Sequence, residues 1–258
     1  MARFKTFGLV VAVVGVLVAA LQLTSFIEAG PELLTKAGES LPIKEVQIDT
    51  DGSLDHEWLL SQLAIAEDEN LLSIDLSALK DKLESVGQIE NAELERLFPD
   101  TLVVSVKERQ PIARLLAQRP SGERILLFVD EAGYVFEAQS IDKGLANSLP
   151  FIDGVALKRE GDRFSQIEGI APLATLLQEA RSIAPHIYRR WRVISLEEKD
   201  RLIARGKAAR EVVFDTRQDF RDQLGKLDYI LDHYLSARTG IIDHVDLTLG
   251  DQVPVRSL

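Results

Sequence analysis

The stretch "ENAELERLFPDTLVVSVKERQPIAR", Glu90 to Arg114, decides the fold of the first module of this chain. Ala92 and Leu94 alternate with Glu93 and Glu95; beyond Phe98-Pro99-Asp100-Thr101, Leu102, Val104 and Val106 alternate with Ser105 and Lys107. A period of two belongs to half-buried strands, because successive side chains point to opposite faces. Pro99 suits the second position of a tight turn, where its ring presets φ, and Asp100 tolerates the next position. The stretch reads as a β-hairpin, and neither arm carries a residue that suggests catalysis.

Upstream of it, Ile43 to Thr50 alternates as another strand, Asp51-Gly52 signals a turn, and Ser53 is placed to cap a helix with Leu54, Trp58 and Leu63 on one side. After Glu67-Asp68-Glu69-Asn70, Asp75 caps a second helix from Leu76 to about Val86, in which Leu76, Leu79, Leu83 and Val86 share one face. The order β-α-α-β-β fills about 70 residues, and two amphipathic helices must cover one face of a three-stranded sheet to bury their apolar stripes.

Downstream, Ile125–Val129 and Tyr134–Phe136 flank Asp130-Glu131-Ala132-Gly133, a hairpin with glycine at its turn. Ile170–Ala184 and Arg217–Tyr234 read as helices, the second with a core stripe of Phe220, Leu224, Leu227, Leu231 and Tyr234. Arg192–Leu196, Leu202–Arg205 and Glu211–Phe214 read as strands. The fold class is α+β.

The N-terminus carries Arg3 and Lys5, then "FGLVVAVVGVLVAAL" from Phe7 to Leu21, with no charge from Thr6 until Glu28. Those 22 uncharged residues would span about 33 Å as a helix, enough for a bilayer core of about 30 Å. Cations before the run and Glu28 and Glu32 after it place the N-terminus in the cytoplasm. A cleaved signal peptide is the alternative, with Val18-Ala19-Ala20 as small residues at a cleavage site. The anchor is favoured because Leu21, Leu23, Phe26 and Ile27 keep the segment apolar beyond an ordinary leader core, and both readings export the remainder. The expected organisation is a tail at 1–6, a transmembrane helix at 7–27, a linker at 28–41, the β-α-α-β-β module at 42–112 and a β-rich domain with helices at 113–258.

Composition narrows the chemistry. The 258 residues are 46% hydrophobic and 28% charged, enough for a proper core, and the net charge is −11. An acidic chain without a dense basic run is a poor phosphate binder, so no nucleic-acid partner is expected; Arg189, Arg190 and Arg192 around Trp191 read as solvated surface. The absence of cysteine excludes disulfides, Cys-ligated zinc and thiol catalysis. His56-Glu57 lacks a second histidine at position 60, where Leu60 stands, and there is no Gly-x-Ser-x-Gly or phosphate loop. His233, Asp243, His244 and Asp246 form the one polar cluster worth naming, and read as residues flanking a strand. Neither a metal nor another cofactor is expected, and no catalytic residue is assigned.

These residues resemble the polypeptide-transport-associated (POTRA) domain of the FtsQ/DivIB family of bacterial division proteins. The likeness runs from Ile43 to Ala113: "VQIDTDGSL" opens it, Leu72-Ser73-Ile74 is buried between the helices, and "NAELERLFPDTLVVSVKERQPIA" closes it. Ala92, Arg96, the Pro99 turn, Leu102, Val104, Val106, Glu108-Arg109 and Pro111-Ile112-Ala113 fall in register with the family pattern. Weaker echoes are "FVDEAGYVF" at Phe128–Phe136 and "IIDHVDLTLGDQVPV" at Ile241–Val255. Asp215-Thr216 stands where the family often has a Leu-Gly pair. As residue types alone, Arg96, Glu108 and Arg109 read equally well as solvated charges at strand ends.

The resemblance implies a membrane-anchored, non-enzymatic scaffold of the division machinery, with single-span partners of the FtsB and FtsL type and a place in the inner membrane. A transport component or a secreted hydrolase with a cleaved leader are the alternatives. On the POTRA module, the second helix and last strand would form a binding surface, with Lys107 and Arg109 outside the core and a sheet edge open to an added strand. Near the C-terminus, the resemblance implies strand addition by a partner along Val245–Val255. Pairing would run from Leu247 to Val253 and stop before Pro254, which lacks an N–H, with Thr248, Leu249, Gln252 and Val253 supplying contacts.

Overall fold

The computed structural model describes residues 41–66, 68–119, 121–161, 163–198, 200–237 and 242–257. The expected tail at 1–6, the expected transmembrane helix at 7–27 and the expected linker at 28–41, except residue 41, lie outside the described residues. Among the described residues, no helix is long and apolar enough to cross a membrane.

In chain order the elements are β1 (Glu45–Thr50), α1 (His56–Leu63), α2 (Leu76–Glu84), β2 (Ile89–Leu97), β3 (Thr101–Glu108), β4 (Pro111–Gln118), β5 (Arg124–Asp130), β6 (Val135–Phe136), α3 (Lys143–Ser148) and β7 (Phe151–Asp153). There follow β8 (Arg159–Glu160), β9 (Arg163–Phe164), α4 (Ala171–Ile183), α5 (Pro185–Tyr188), β10 (Trp191–Ser195), β11 (Arg201–Gly206), β12 (Ala209–Asp215), α6 (Phe220–Ala237), β13 (Ile242–Asp246) and β14 (Val255–Ser257). The β-α-α-β-β order and the hairpin at Glu90–Arg114 stand as read; the Phe98–Pro99 peptide at the hairpin tip is cis.

The chain divides into two compact units. One comprises residues up to Glu45, Ala66–Ile74 and Arg96–Thr101. In it Ile43 N–H donates to the Glu69 carbonyl, Leu71 N–H to the Leu41 carbonyl, and Lys44 pairs with Asp100 at 3.0 Å. Ile43, Leu71, Ile74 and Thr101 are buried. Leu72, expected to be buried, is exposed, because Asn70 Oδ1 accepts its N–H and turns the chain so that Leu71 and Ile74 point inward instead. Arg96 donates Nε to the Leu71 carbonyl at 2.6 Å and Nη2 to the Ile74 carbonyl at 2.7 Å, which satisfies two loop acceptors that no helix or strand serves.

The other unit comprises Val46–Ile65, Asp75–Glu95 and the residues from Leu102 onward. Its three-stranded sheet has the order β1-β3-β2, so β3 is central and β1 and β2 are the edges. The last strand of the module, β3, is therefore paired on both sides, and a strand could be added only at β1 or β2. Asp55, not Ser53, caps α1, accepting from Glu57 N–H and Trp58 N–H, while Ser53 Oγ donates to the Ser140 carbonyl. Leu54, Leu59 and Leu63 are buried and Trp58 is half-buried. Asp75 caps α2 as expected, accepting from Ala78 N–H.

Beyond β3 only two residues pass before β4, a strand absent from the periodicity reading. It belongs to a nine-stranded sheet of order β14-β13-β12-β11-β10-β7-β4-β5-β6. One face of that sheet packs against α4 and α6, through Leu173, Leu176 and Leu177 and through Phe220, Leu224, Leu227 and Leu231. An aromatic series, Tyr188–Trp191–Phe214–Phe220, with edge-on contacts near 6 Å, fills the centre of this core. On the other face, Phe128 and Phe136 pack with Ala146 and Leu149 of the α3 segment.

Candidate partner-binding site

Two regions carry the residues expected to bind partners. In the first, Lys107 and Arg109 behave differently. Lys107 alternates outward on β3, is exposed, and pairs with Glu90 across the sheet at 3.1 Å. Arg109 is not on a free surface: its side chain is 17% exposed, Nε donates to the Gly87 carbonyl, Nη1 pairs with Asp130 at 2.9 Å, and the guanidinium lies 4.1 Å from the Tyr134 ring. It joins the end of the POTRA-like module to the β5–β6 hairpin, whose Gly133 turns with φ +90°.

Glu108 explains why this junction is ordered. Its carboxylate is buried and accepts from Thr50 Oγ1, Leu54 N–H and Gln88 Nε2, each at 2.8 Å. Gln88 also donates to the Ser140 carbonyl at 2.7 Å and accepts from Gln139 N–H at 2.7 Å. A side chain at Gly52 would collide with the Glu108 carboxylate, which is why the Asp51-Gly52 turn needs its glycine. The solvated-charge reading of Arg96, Glu108 and Arg109 is thus overturned. The signal was available in parity: Leu102, Val104, Val106 and Glu108 share one face of β3, and Ala92, Leu94 and Arg96 one face of β2.

The second region is the C-terminus. The expected strand Val245–Val255 is instead the end of β13, a connection and the first residue of β14, two short antiparallel strands in register Val245↔Val255 and His244↔Arg256. Leu247, Thr248, Leu249, Gln252 and Val253 lie in the connection between them, which turns at Gly250 with φ +68°. Leu247 is buried in the core, its N–H donating to the Val213 carbonyl, and Thr248 N–H and Oγ1 both donate to Asp246 Oδ1. Leu249 is 59% exposed, Gln252 is exposed and Val253 half-buried. The alternation misled because a strand, a polar turn and a second strand preserve a period of two by composition alone. One of the two edges of the sheet is β14, and its outer side pairs with no strand among the described residues. Arg256 holds it to β13, donating Nε to Asp243 Oδ2 at 2.8 Å; the bond from Arg256, with Arg210 close by, keeps the Asp243 carboxyl below its ordinary pKa.

Residues 41–109 match the family model described as the POTRA domain, FtsQ-type. The chain is 22% identical over 228 residues to the cell division protein FtsQ of Syntrophotalea carbinolica, covering 85% of this chain and 75% of that one. It is 29% identical to FtsQ of Zymomonas mobilis, covering 61% and 46%, and 24% identical to the cell division protein DivIB of Clostridium tetani, covering 45% and 41%. The resemblance to the FtsQ/DivIB family is borne out by the matching domain and by these relatives. The chain spans three quarters of the first of these relatives and less than half of the other two.

The likeness to cell division proteins directs attention from chemistry to surfaces. The cluster His233, Asp243, His244 and Asp246 is not brought together: His233 stacks on Tyr229, His244 pairs with Glu211 at 3.2 Å, Asp243 with Arg256 and Asp246 with Thr248. Among the described residues no group of three His, Asp or Glu could hold a metal ion. Asp215, where the family often has leucine, is buried at the end of β12 and accepts from Arg217 and Gln218 side chains. The Arg217 bonds hold its carboxyl at a pKa of about 2, below the ordinary 3.8.

Proposed function

We propose that the protein is a membrane-anchored scaffold of the division machinery. The apolar N-terminal segment holds it in the inner membrane with the bulk of the chain outside the cytoplasm. A single-span partner of the FtsB or FtsL type docks by adding a strand to β14. The observation that carries this is the position of β14 as the outermost strand of a nine-stranded sheet, with its outer edge unpaired among the described residues. Unpaired N–H and C=O groups along such an edge are a template for a partner's backbone. Leu249 and Gln252, exposed in the adjoining turn, flank that edge and give side-chain contacts, while Leu247 acts only from within the core.

The test is co-purification of the full-length protein with its single-span partners from native membranes. Removal of residues 254–258 should lower recovery of the partner at least ~10-fold, since main-chain pairing is lost at a stroke. Leu249→Ala should reduce it only a few-fold, on the order of the ~1 kcal/mol of a rim contact. Undiminished recovery after the deletion would refute docking at β14.

A further inference from the structure

Far along the same sheet, on the face opposite α4 and α6, lies a second surface. Leu116 of β4 and Leu126 of β5 are cross-strand partners, 60% and 36% exposed. Leu115 and Leu127, one residue away on each strand, face the helices and are buried, so the alternation places an apolar pair outward where a polar pair would serve solubility. Two residues before Leu116, Arg114 lies with its guanidinium 4.2 Å from the ring of Phe151 on β7. Its Nε is buried without a hydrogen-bond partner. Burial, with Arg192 of β10 as a second cation nearby, lowers the pKa of Arg114 from its ordinary value. No carboxylate among the described residues pairs with Arg114 or Arg192, although this chain carries 41 acidic residues against 30 basic ones and pairs Arg201, Arg205, Arg210 and Arg256 of the same sheet with Glu198, Asp153, Glu211 and Asp243.

We propose that the Leu116–Leu126 pair and the Arg114–Arg192 cations form a docking surface for a segment of another protein that bears an acidic side chain beside apolar ones. The partner's carboxylate pairs with the two cations, reaching the exposed Arg192 and the guanidinium end of Arg114, and its apolar residues cover the leucines. An arginine stacked on an aromatic ring beside exposed aliphatics is the composition of an interface centre. A second copy of this chain is disfavoured by mutual repulsion between molecules each of net charge −11. Six strand spacings of about 4.8 Å, roughly 29 Å, separate β4 from β14, so one strand added at β14 does not reach this surface.

The test places a photo-crosslinking amino acid at Leu116 of the full-length protein in its native cells, with Tyr229, exposed on α6, as the control position. A discrete adduct is expected from position 116, and the crosslinked peptide, sequenced by mass spectrometry, should carry Asp or Glu next to apolar residues. Arg192→Glu, on an exposed side chain that folding does not need, should lower the adduct yield at least ~5-fold by charge repulsion. The adduct should persist when residues 254–258 are removed, which separates this proposal from docking at β14. No adduct, an adduct with lipid or with a second copy of this chain, or a yield indifferent to Arg192→Glu would overturn it.

Discussion

At the scale of the residue, the polar side chains that organise this molecule are buried ones with complete sets of partners. Glu108 is the acceptor for three donors, and Glu108→Ala would leave Thr50, Leu54 N–H and Gln88 competing for none. Unsatisfied buried donors cost about 1–3 kcal/mol, so the urea midpoint of Glu108→Ala should fall by an amount equivalent to roughly 3 kcal/mol. A midpoint within error of the parent would show that the network contributes little. Lys107→Ala, by contrast, removes only an exposed pair and should change stability by less than about 0.5 kcal/mol, which makes it the clean probe of recruitment that Arg109 is not. Asp215 gives a pH-dependent case. Its folded pKa, about 2, lies below the ordinary 3.8, so the native state binds this proton less readily than the unfolded chain. The stabilisation is therefore complete above about pH 5 and is lost as pH falls from 4 towards 2. Asp215→Asn should lower the melting midpoint at pH 7 by about 2–4 °C and leave it nearly unchanged at pH 2; an equal loss at both pH values would assign the effect to packing.

At the scale of the element, β3 and β4 show how one chain serves two sheets. β3 is central in the three-stranded sheet, and after Arg109 and Gln110 the chain enters β4, which pairs with β5 over seven registered positions. The buried Gln88–Glu108 pair and the Arg109–Asp130 bridge lie at this crossing and hold the β1-β3-β2 sheet to the segment around Ser140. Gln88→Ala should loosen that attachment without unfolding either sheet, because the strands keep their own ladders. Paired spin labels at exposed Ser105 and Glu131 should then report a broader distance distribution, whereas an unchanged distribution would mean that Arg109 and Asp130 suffice. Helix caps were legible at this scale only in part. Asp75 announced itself because it directly precedes an apolar stripe, but Ser53 and Asp55 compete for α1, and only the packing of Ser53 against the Ser140 carbonyl settles the matter for Asp55.

At the scale of the whole molecule, the proposed anchor and the proposed docking strand lie far apart in the sequence, at Phe7–Ile27 and Val255–Ser257. A reporter fused after Leu258 should be active only if it functions outside the cytoplasm, as Arg3 and Lys5 require by the positive-inside rule; activity of a cytoplasm-only reporter there would reverse the topology. What the sequence determined by itself is the local order: the hairpin around Pro99, the two module helices, the long helix with its stripe from Phe220 to Tyr234, the strands at Arg192–Leu196, Leu202–Arg205 and Glu211–Phe214, and the resemblance to the FtsQ/DivIB family. Each is written in a period of two or of about 3.6 residues, and periodicity is a property of neighbours along the chain. Only the tertiary structure decided that β3 is central, that Val245–Val255 is broken by a turn between β13 and β14, and that Arg109 is a tether. Strand order and the partners of a charge depend on which distant segments meet, as Arg109 meets Asp130 and β14 meets β13, and alternation along one strand is identical whether its edge is paired or open.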